Sequence, residues 1–320
     1  MFNHATAIGL DIGRNSINIA VVKIDGSIVA ASVKALPGKQ TKDILVREIF
    51  AAIRDIRLKV AAMGINPICI GIAAKGFIDH KTGIILGPDK GIKDWKNVPL
   101  AQIVNNETGL PVYVENDANM MTIAEHRFGA AKGFNNVIFV ALRTGIGGGI
   151  IINGKLYSGV NNAGGEVGQM IINYDKGLSD LGIRGSYEYF ASASAMERRY
   201  KEEVKKHVGQ VIAPLSCKEI FDLSYSGNKT AIKIVNENAE LVGIGLANLI
   251  SIFAPEIIVV GGGMSEAKDS YFSLIKKSAF DNSLENFRSS VKIERAHLGS
   301  AASLMGSAFY GLTRLAGKTV

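Results

Sequence analysis

Glu115-Asn116-Asp117 follows a short apolar run, residues 111–114, and precedes a helix-like stretch. A carboxylate where a strand ends and a helix begins points into the crevice in which α/β proteins bind ligands. The helix dipole and the free N–H groups of the first turn hold it ionised. An ionised, positioned Asp117 could accept the proton of a substrate hydroxyl during phosphoryl transfer, or it could serve only as a helix N-cap. Asp11 closes the first apolar run beside Gly13. Its oxygens suit Mg²⁺ or a metal-bound water next to phosphates, or an Asx turn. Two further glycine stretches, Thr144-Gly145-Ile146-Gly147-Gly148-Gly149 and Gly261-Gly262-Gly263, also end apolar runs. Such turns let backbone N–H groups come close to an anion, and none of them matches a Walker or dinucleotide fingerprint. Glu166 is flanked by glycines in residues 163–169, and Glu188 lies across a loop from it. Paired carboxylates can accept hydrogen bonds from vicinal hydroxyls; taken by itself, Glu188 reads as a surface residue. The histidines, His4, His80, His126, His207 and His297, have no metal-ligand spacing and read as structural or exposed.

The elements that would position these groups come in two copies. Residues 5–10 are apolar, 11–13 break the run, 16–23 alternate, and Asp25-Gly26 turns the chain into 27–33. The plan recurs over residues 136–142, 144–149 and 150–152, with Asn153-Gly154 turning into 155–157. Each copy reads strand, glycine turn, strand, hairpin, strand, followed by alternating helices and strands in an α/β order. Helices are expected over residues 41–63 (capped by Thr41, stopped by Gly64), 98–107 (ended by Gly109), 118–128, 187–208, 230–253 and 301–315. Strands are expected over residues 67–73, 111–114, 256–260 and 291–294, with loops over 76–95 and 160–185. The expected lobes are residues 1–117, rejoined by a last helix over 301–320, and residues 118–300.

The chain has 320 residues, 47% hydrophobic and 20% charged, so it can bury sizeable cores. Its formal net charge of +7 is not gathered into one basic tract, because Arg198, Arg199, Lys201, Lys205 and Lys206 alternate with Glu197, Glu202 and Glu203. Nucleic-acid binding is therefore not expected. Cys69 and Cys217 form no CxxC pair, which points to a reduced, cytoplasmic setting. No signal peptide and no membrane-spanning run is visible, so no membrane partner is expected.

Together these motifs resemble the ROK family of bacterial sugar kinases, sugar-responsive repressors and their relatives. The resemblance covers nearly the whole chain. It rests on Gly9-Leu10-Asp11-Ile12-Gly13, Glu115-Asn116-Asp117-Ala118-Asn119 and Thr144-Gly145-Ile146-Gly147-Gly148-Gly149, and continues through Gly154-Lys155-Leu156-Tyr157-Ser158-Gly159, Gly164-Gly165-Glu166-Val167-Gly168 and Ala247-Asn248-Leu249-Ile250 to Pro255-Glu256 and Gly261-Gly262-Gly263. It implies two ribonuclease-H-like lobes of the actin/hexokinase type with a central interdomain cleft. It further implies ATP and Mg²⁺ as cofactors, a small-molecule sugar, Asp117 as catalytic base, and Asn116, Glu166, Gln169 and Glu188 at the sugar. The same resemblance places Gly13, Thr144 and Gly145 toward the phosphates and Gly261, Gly262 and Gly263 at the adenosine; Asn15 in the first turn is expected to join the phosphate set, with Asp11 beside it at the metal. Relatives commonly form homodimers.

The departures from the family pattern are specific. The first phosphate turn of the family usually reads Asp-x-Gly-Gly-Thr-Lys, and here its last three positions are Arg14, Asn15 and Ser16. A side chain in a left-handed glycine position would cost about 1–2 kcal/mol. Arg143 stands where kinases usually have glycine. The positions of the family's zinc ligands hold Gln169, Ser179, Leu181 and Ser186, which lack the thiolate and imidazole donors zinc prefers, so no structural zinc is expected. The family's repressors carry a winged helix ahead of the first strand, and with four residues before the first apolar run none is expected here. The leading expectation is a sugar kinase. The alternative is a non-catalytic sugar sensor acting through a protein partner.

Overall fold

The computed structural model describes residues 4–38, 40–87, 91–174, 177–178, 182–208, 213–318 and 320. Strand β1 (Thr6–Ile12) is buried along its whole length and pairs antiparallel with β2 (Ser16–Lys23), Asp11 lying opposite Asn18. The break expected at residues 11–13 is thus shorter than the glycine suggests: a buried strand keeps its ladder paired, and only residues 13–15 turn. Gly13 N–H donates to the Ser16 carbonyl at 2.9 Å. β3 (Ile28–Ala35) follows the Asp25-Gly26 turn. The two-residue β4 (Gln40–Thr41) leads into α1 (Lys42–Ala61). There the Thr41 side chain accepts from Ile44 N–H, and the buried face is Leu45, Ile49, Ala52, Ile53, Ile56 and Val60. This is the stripe its sequence spacing predicts.

β5 (Ile70–Ala74) is fully buried. The segment expected to be a loop holds short pairings: β6 (Ile78–Asp79) with β7 (Ile84–Ile85), and β8 (Ile92–Lys93) with β4. α2 (Leu100–Thr108) ends at Gly109, whose φ of 70° is the left-handed cap that glycine tolerates. β9 (Val112–Asn116) runs into α3 (Asp117–Phe128), and β10 (Val137–Leu142) opens the second copy. β11 (Ile146–Ile152) absorbs Gly147, Gly148 and Gly149, which the sequence pattern assigns to the turn. A Cβ on Gly148 would lie 2.6 Å from Val167 and 2.9 Å from the Phe139 carbonyl, so Gly148 serves close packing inside the strand.

β12 (Lys155–Leu156) follows a hairpin with both Asn153 and Gly154 at positive φ. The expected single helix from 187 is two, α4 (Tyr187–Ala191) and α5 (Ala193–Val208), interrupted where Ser192 is extended. α6 (Cys217–Tyr225) and α8 (Asp269–Asp281) form where the sequence reading places no helix. α7 (Lys229–Phe253), β13 (Ile257–Gly261), β14 (Lys292–Arg295) and α9 (Ala302–Leu315) form where it places them.

The chain forms two compact units, one of residues 1–133, 150–164 and 298–320, the other of 134–149 and 165–297. The first is built on a sheet of order β3-β2-β1-β5-β9, in which β1, β5 and β9 are parallel. α9 crosses this sheet at very short range. A Cβ on Gly9 would sit 2.0 Å from the Leu304 carbonyl oxygen, and one on Gly71 would sit 1.8 Å from that of Ser307. Gly9 and Gly71 are register partners across β1 and β5, so the pair forms the trough that α9 fills. The other sheet has the order β12-β11-β10-β13-β14, with β10, β13 and β14 parallel. Among the described residues, no helix is long and apolar enough to cross a membrane.

Candidate active site

In the first unit, Asp11 is in register with Ala73, and Ala73 with Glu115. Two strand spacings, about 10 Å, therefore separate Asp11 from the Glu115-Asn116-Asp117 corner along one edge of the parallel strands. Asp11, 9% exposed, ends β1 just ahead of the Gly13 turn. That turn is pinned from outside: Gln40 Nε2 donates to the Arg14 carbonyl at 2.9 Å, and Leu36 N–H donates to the Asn15 carbonyl at 2.8 Å.

The cap of α3 is Asn116, not Asp117. Its side-chain oxygen accepts from Ala118 N–H at 2.9 Å and Asn119 N–H at 3.3 Å. Its Nδ2 donates to the Gly76 carbonyl at 3.2 Å. Asp117 is the first helical residue, half-buried, with its carboxylate at the positive end of the helix.

Glu115 points the other way from Asn116, as alternation along a strand requires, and is 2% exposed. Burial pushes its carboxyl above the usual glutamate range, against the lowering effect of hydrogen bonds from Asn116 N–H and the Asn119 amide. The folded state thus holds the Glu115 proton more tightly than the unfolded chain does. The stability this contributes is complete below the ordinary glutamate value and is lost as pH rises through the raised one. Glu115→Gln has no such loss. Its melting temperature relative to the wild type is expected to improve between about pH 4 and pH 8; parallel thermal melts showing a constant difference would contradict the assignment.

In the second unit the glycine turn is residues 143–145, closed by Arg143 N–H to the Gly145 carbonyl at 2.9 Å. Glu188, in the first turn of α4, accepts Ile146 N–H at 2.9 Å through Oε2. A Cβ on Gly145 would lie 2.3 Å from that same oxygen, so glycine is what lets the carboxylate reach the turn. Glu188 Cβ is also 3.4 Å from where a Cβ on Gly168 would stand. Glu188 therefore joins the turn at Gly145 to the 3₁₀ turn Val167–Gln169, which begins just after the exposed Glu166. Oε1 of Gln169 is buried with no hydrogen-bond partner among the described residues. At the end of β13, Gly262 (φ 87°) lies against Leu142, its added Cβ 2.4 Å from that carbonyl oxygen. The Gly261 turn is thus adjacent to the Arg143–Gly145 turn, and Gly263 faces open space. The sequence-predicted residues gather into two sets, Asp11, Gly13, Asn15, Asn116 and Asp117 in one unit, and Thr144, Gly145, Glu166, Gln169, Glu188 and Gly261–Gly263 in the other.

A model of the ROK family matches residues 7–313. The chain belongs to the ROK family. It is 29% identical over 318 residues to a glucokinase of Thermotoga maritima, covering 97% of this chain and 98% of that protein. It is 28% identical to the xylose repressor of Bacillus subtilis, covering 94% of this chain and 75% of that protein. The solved structure of a ROK glucokinase from Streptomyces griseus, in complex with glucose and AMPPNP, superposes with a TM-score of 0.82 at 33% identity, covering 96% of this chain and 99% of that one. The ROK fold is thus shown for this chain, of the actin/hexokinase-like kind.

Two of its departures from the usual ROK pattern can be placed. Arg14, Asn15 and Ser16 all have negative φ, so the expected left-handed strain is absent and the altered turn is relaxed. At the zinc positions, Ser186 is fully buried and caps α4 by accepting Tyr189 N–H at 3.2 Å. Ser179 and Leu181 lie outside the described residues. Sequence reasoning missed the bond from Glu188 to Ile146 and the capping by Asn116. The second was findable, because asparagine is a strong N-cap and stands one residue ahead of the helix.

Proposed function

We propose that this ROK protein is an ATP-dependent sugar kinase in which Asp117 is the general base. The observation that carries the reading is the place of Asp117. It opens α3 at the edge that also carries the Gly13 turn, while the capping task there falls to Asn116. In the proposed step the Asp117 carboxylate takes the proton of the attacking sugar hydroxyl. The hydroxyl oxygen bonds to the γ-phosphorus as the bond to the β–γ bridging oxygen breaks, and ADP leaves. Asn116, Glu166, Gln169 and Glu188 hold the sugar. For Gln169, the partnerless buried Oε1 supports this assignment, since a sugar hydroxyl would satisfy it. Backbone N–H groups around Gly13, Asn15, Thr144 and Gly145 face the phosphates, and the Gly261–Gly263 turn receives the adenosine. Asp11 offers the hard oxygen donor that Mg²⁺ takes, and Mg²⁺ when bound neutralises charge on the phosphates.

The test is ADP release, coupled to a reporter enzyme, over a panel of hexoses, amino sugars and disaccharides. Glucose leads the panel because relatives by sequence and by structure include glucokinases. ADP release with at least one sugar is expected. The second reading, a sugar sensor without catalysis, is favoured by Arg14, Asn15, Ser16 and Arg143 in the phosphate turns and by the match to xylose repressors. Sugar binding by calorimetry with no ADP release across the panel would select it and reject the kinase.

A further inference from the structure

Within the first unit, on the Glu115 side of β9, lies a cavity of about 180 Å³ lined by His80, Glu115, Lys155, Ser158, Tyr310 and Arg314. Along one wall Leu156 N–H donates to the Val320 carbonyl at 3.0 Å. None of these residues has a part in the phosphoryl transfer above. Glu115 uses Oε1 on Asn116 N–H and the Asn119 amide, at 2.8 and 3.1 Å. Its Oε2 lies 4.0 Å from His80 Nδ1, too far for a hydrogen bond. That nitrogen is buried and has no hydrogen-bond partner among the described residues. Burial, and after it the nearby Glu115 carboxyl, push the Tyr310 phenol above its usual range.

Two cations share the lining. The side chains of Lys155 and Arg314 make no hydrogen bond or ion pair with another described residue, and Arg314 lies over the Tyr310 ring, 5.9 Å from its centroid. The cavity thus presents a guanidinium fork and an ammonium together with an imidazole, a carboxyl and hydroxyls. The first pair is the donor set that recognises an oxyanion. The second set matches a hydroxyl, which can both donate to Glu115 and bond to the partnerless His80 nitrogen. The volume is that of roughly six waters, which suits a skeleton of about three carbons.

We propose that this cavity binds a small hydroxylated oxyanion, with the anionic group on Arg314 and Lys155 and a hydroxyl on His80 and Glu115. Phosphate monoesters and carboxylates share that chemistry, and the test separates them.

Calorimetric titration of the full chain, without ATP or sugar, would use glycerol 3-phosphate, glycerate, inorganic phosphate and glycerol. Saturable binding of glycerol 3-phosphate or glycerate is expected, at least about tenfold tighter than glycerol. It should be weakened at least about tenfold by Arg314→Gln and by Lys155→Gln, and left unchanged by Arg54→Gln, an exposed arginine outside the cavity. Preference for glycerol 3-phosphate assigns a phosphate monoester, and preference for glycerate a carboxylate. Should Arg314→Gln disturb folding, Lys155→Gln, on an exposed side chain, carries the comparison alone. No binding of either compound up to about 10 mM, or binding undiminished in both variants, would overturn the proposal. The readout is binding in the absence of ATP, so its failure leaves the kinase reading standing, and the converse holds too.

Discussion

Asp117→Asn is expected to lower kcat for sugar phosphorylation by about 10²–10⁴, the usual weight of a general base. The substitution keeps the side-chain volume and removes the basic oxygen. It does not remove the helix cap, because that belongs to Asn116. The remaining structural cost is the lost attraction between a carboxylate and the N-terminus of α3, about 0.3–1 kcal/mol. A melting temperature close to the wild type alongside a large fall in kcat would therefore separate chemistry from stability. Sugar affinity measured by calorimetry should change little, since an amide can still hydrogen-bond the hydroxyl. A fall in kcat of less than about threefold, far below the range for a general base, would remove Asp117 from the role.

Gly71→Ala should cost about 3 kcal/mol of stability, the upper end for overpacking a close-packed interior. The new methyl group would stand 1.8 Å from the Ser307 carbonyl oxygen, and a carbonyl of a helix has no rotamer to escape into. Relief requires α9 to lift off the sheet. That would also disturb Gly306, whose own trough is the Met120 carbonyl of α3, 1.9 Å from where a Cβ would sit. For a chain of this size the expected drop in melting temperature is about 6–12 °C. Gly38→Ala is the control, because nothing lies within 4 Å of its added Cβ. Its change should stay within about 0.5 kcal/mol. Equal urea midpoints for the two variants would mean that α9 is not seated as described.

Much of this arrangement is legible in the amino-acid sequence alone. The stripe of α1, the glycine stop of α2 and the long α7 each follow from apolar spacing and caps, and all three stand within a few residues of expectation. What stays hidden depends on contacts distant in sequence. Glycine in residues 147–149 reads as a turn until Val167 and the Phe139 carbonyl are seen pressing on Gly148. Arg14 reads as strained until the turn's φ values are known. α6 escapes notice despite a full local signal, the capping box of Ser216 and Glu219, and α8 despite Tyr271, Phe272, Ile275 and Ala279 on one face. At the site, the motif residues are legible by type and order. The tie of Glu188 to Ile146, and the cavity beside Glu115, are not, because each joins segments 42 or more positions apart or has no motif of its own.

The trough formed by Gly9 and Gly71 has a temporal consequence. Its filler, α9, is encoded after the whole of the other unit, so the trough strands β1 and β5 are synthesised more than two hundred residues before the helix that covers them. At translation rates of about 5–20 residues per second, the nascent N-terminal strands would wait roughly ten seconds or longer with that apolar surface uncovered. The late arrival of α9 is what ends that exposure, because its Leu304 and Ser307 carbonyls are the atoms that fill the trough.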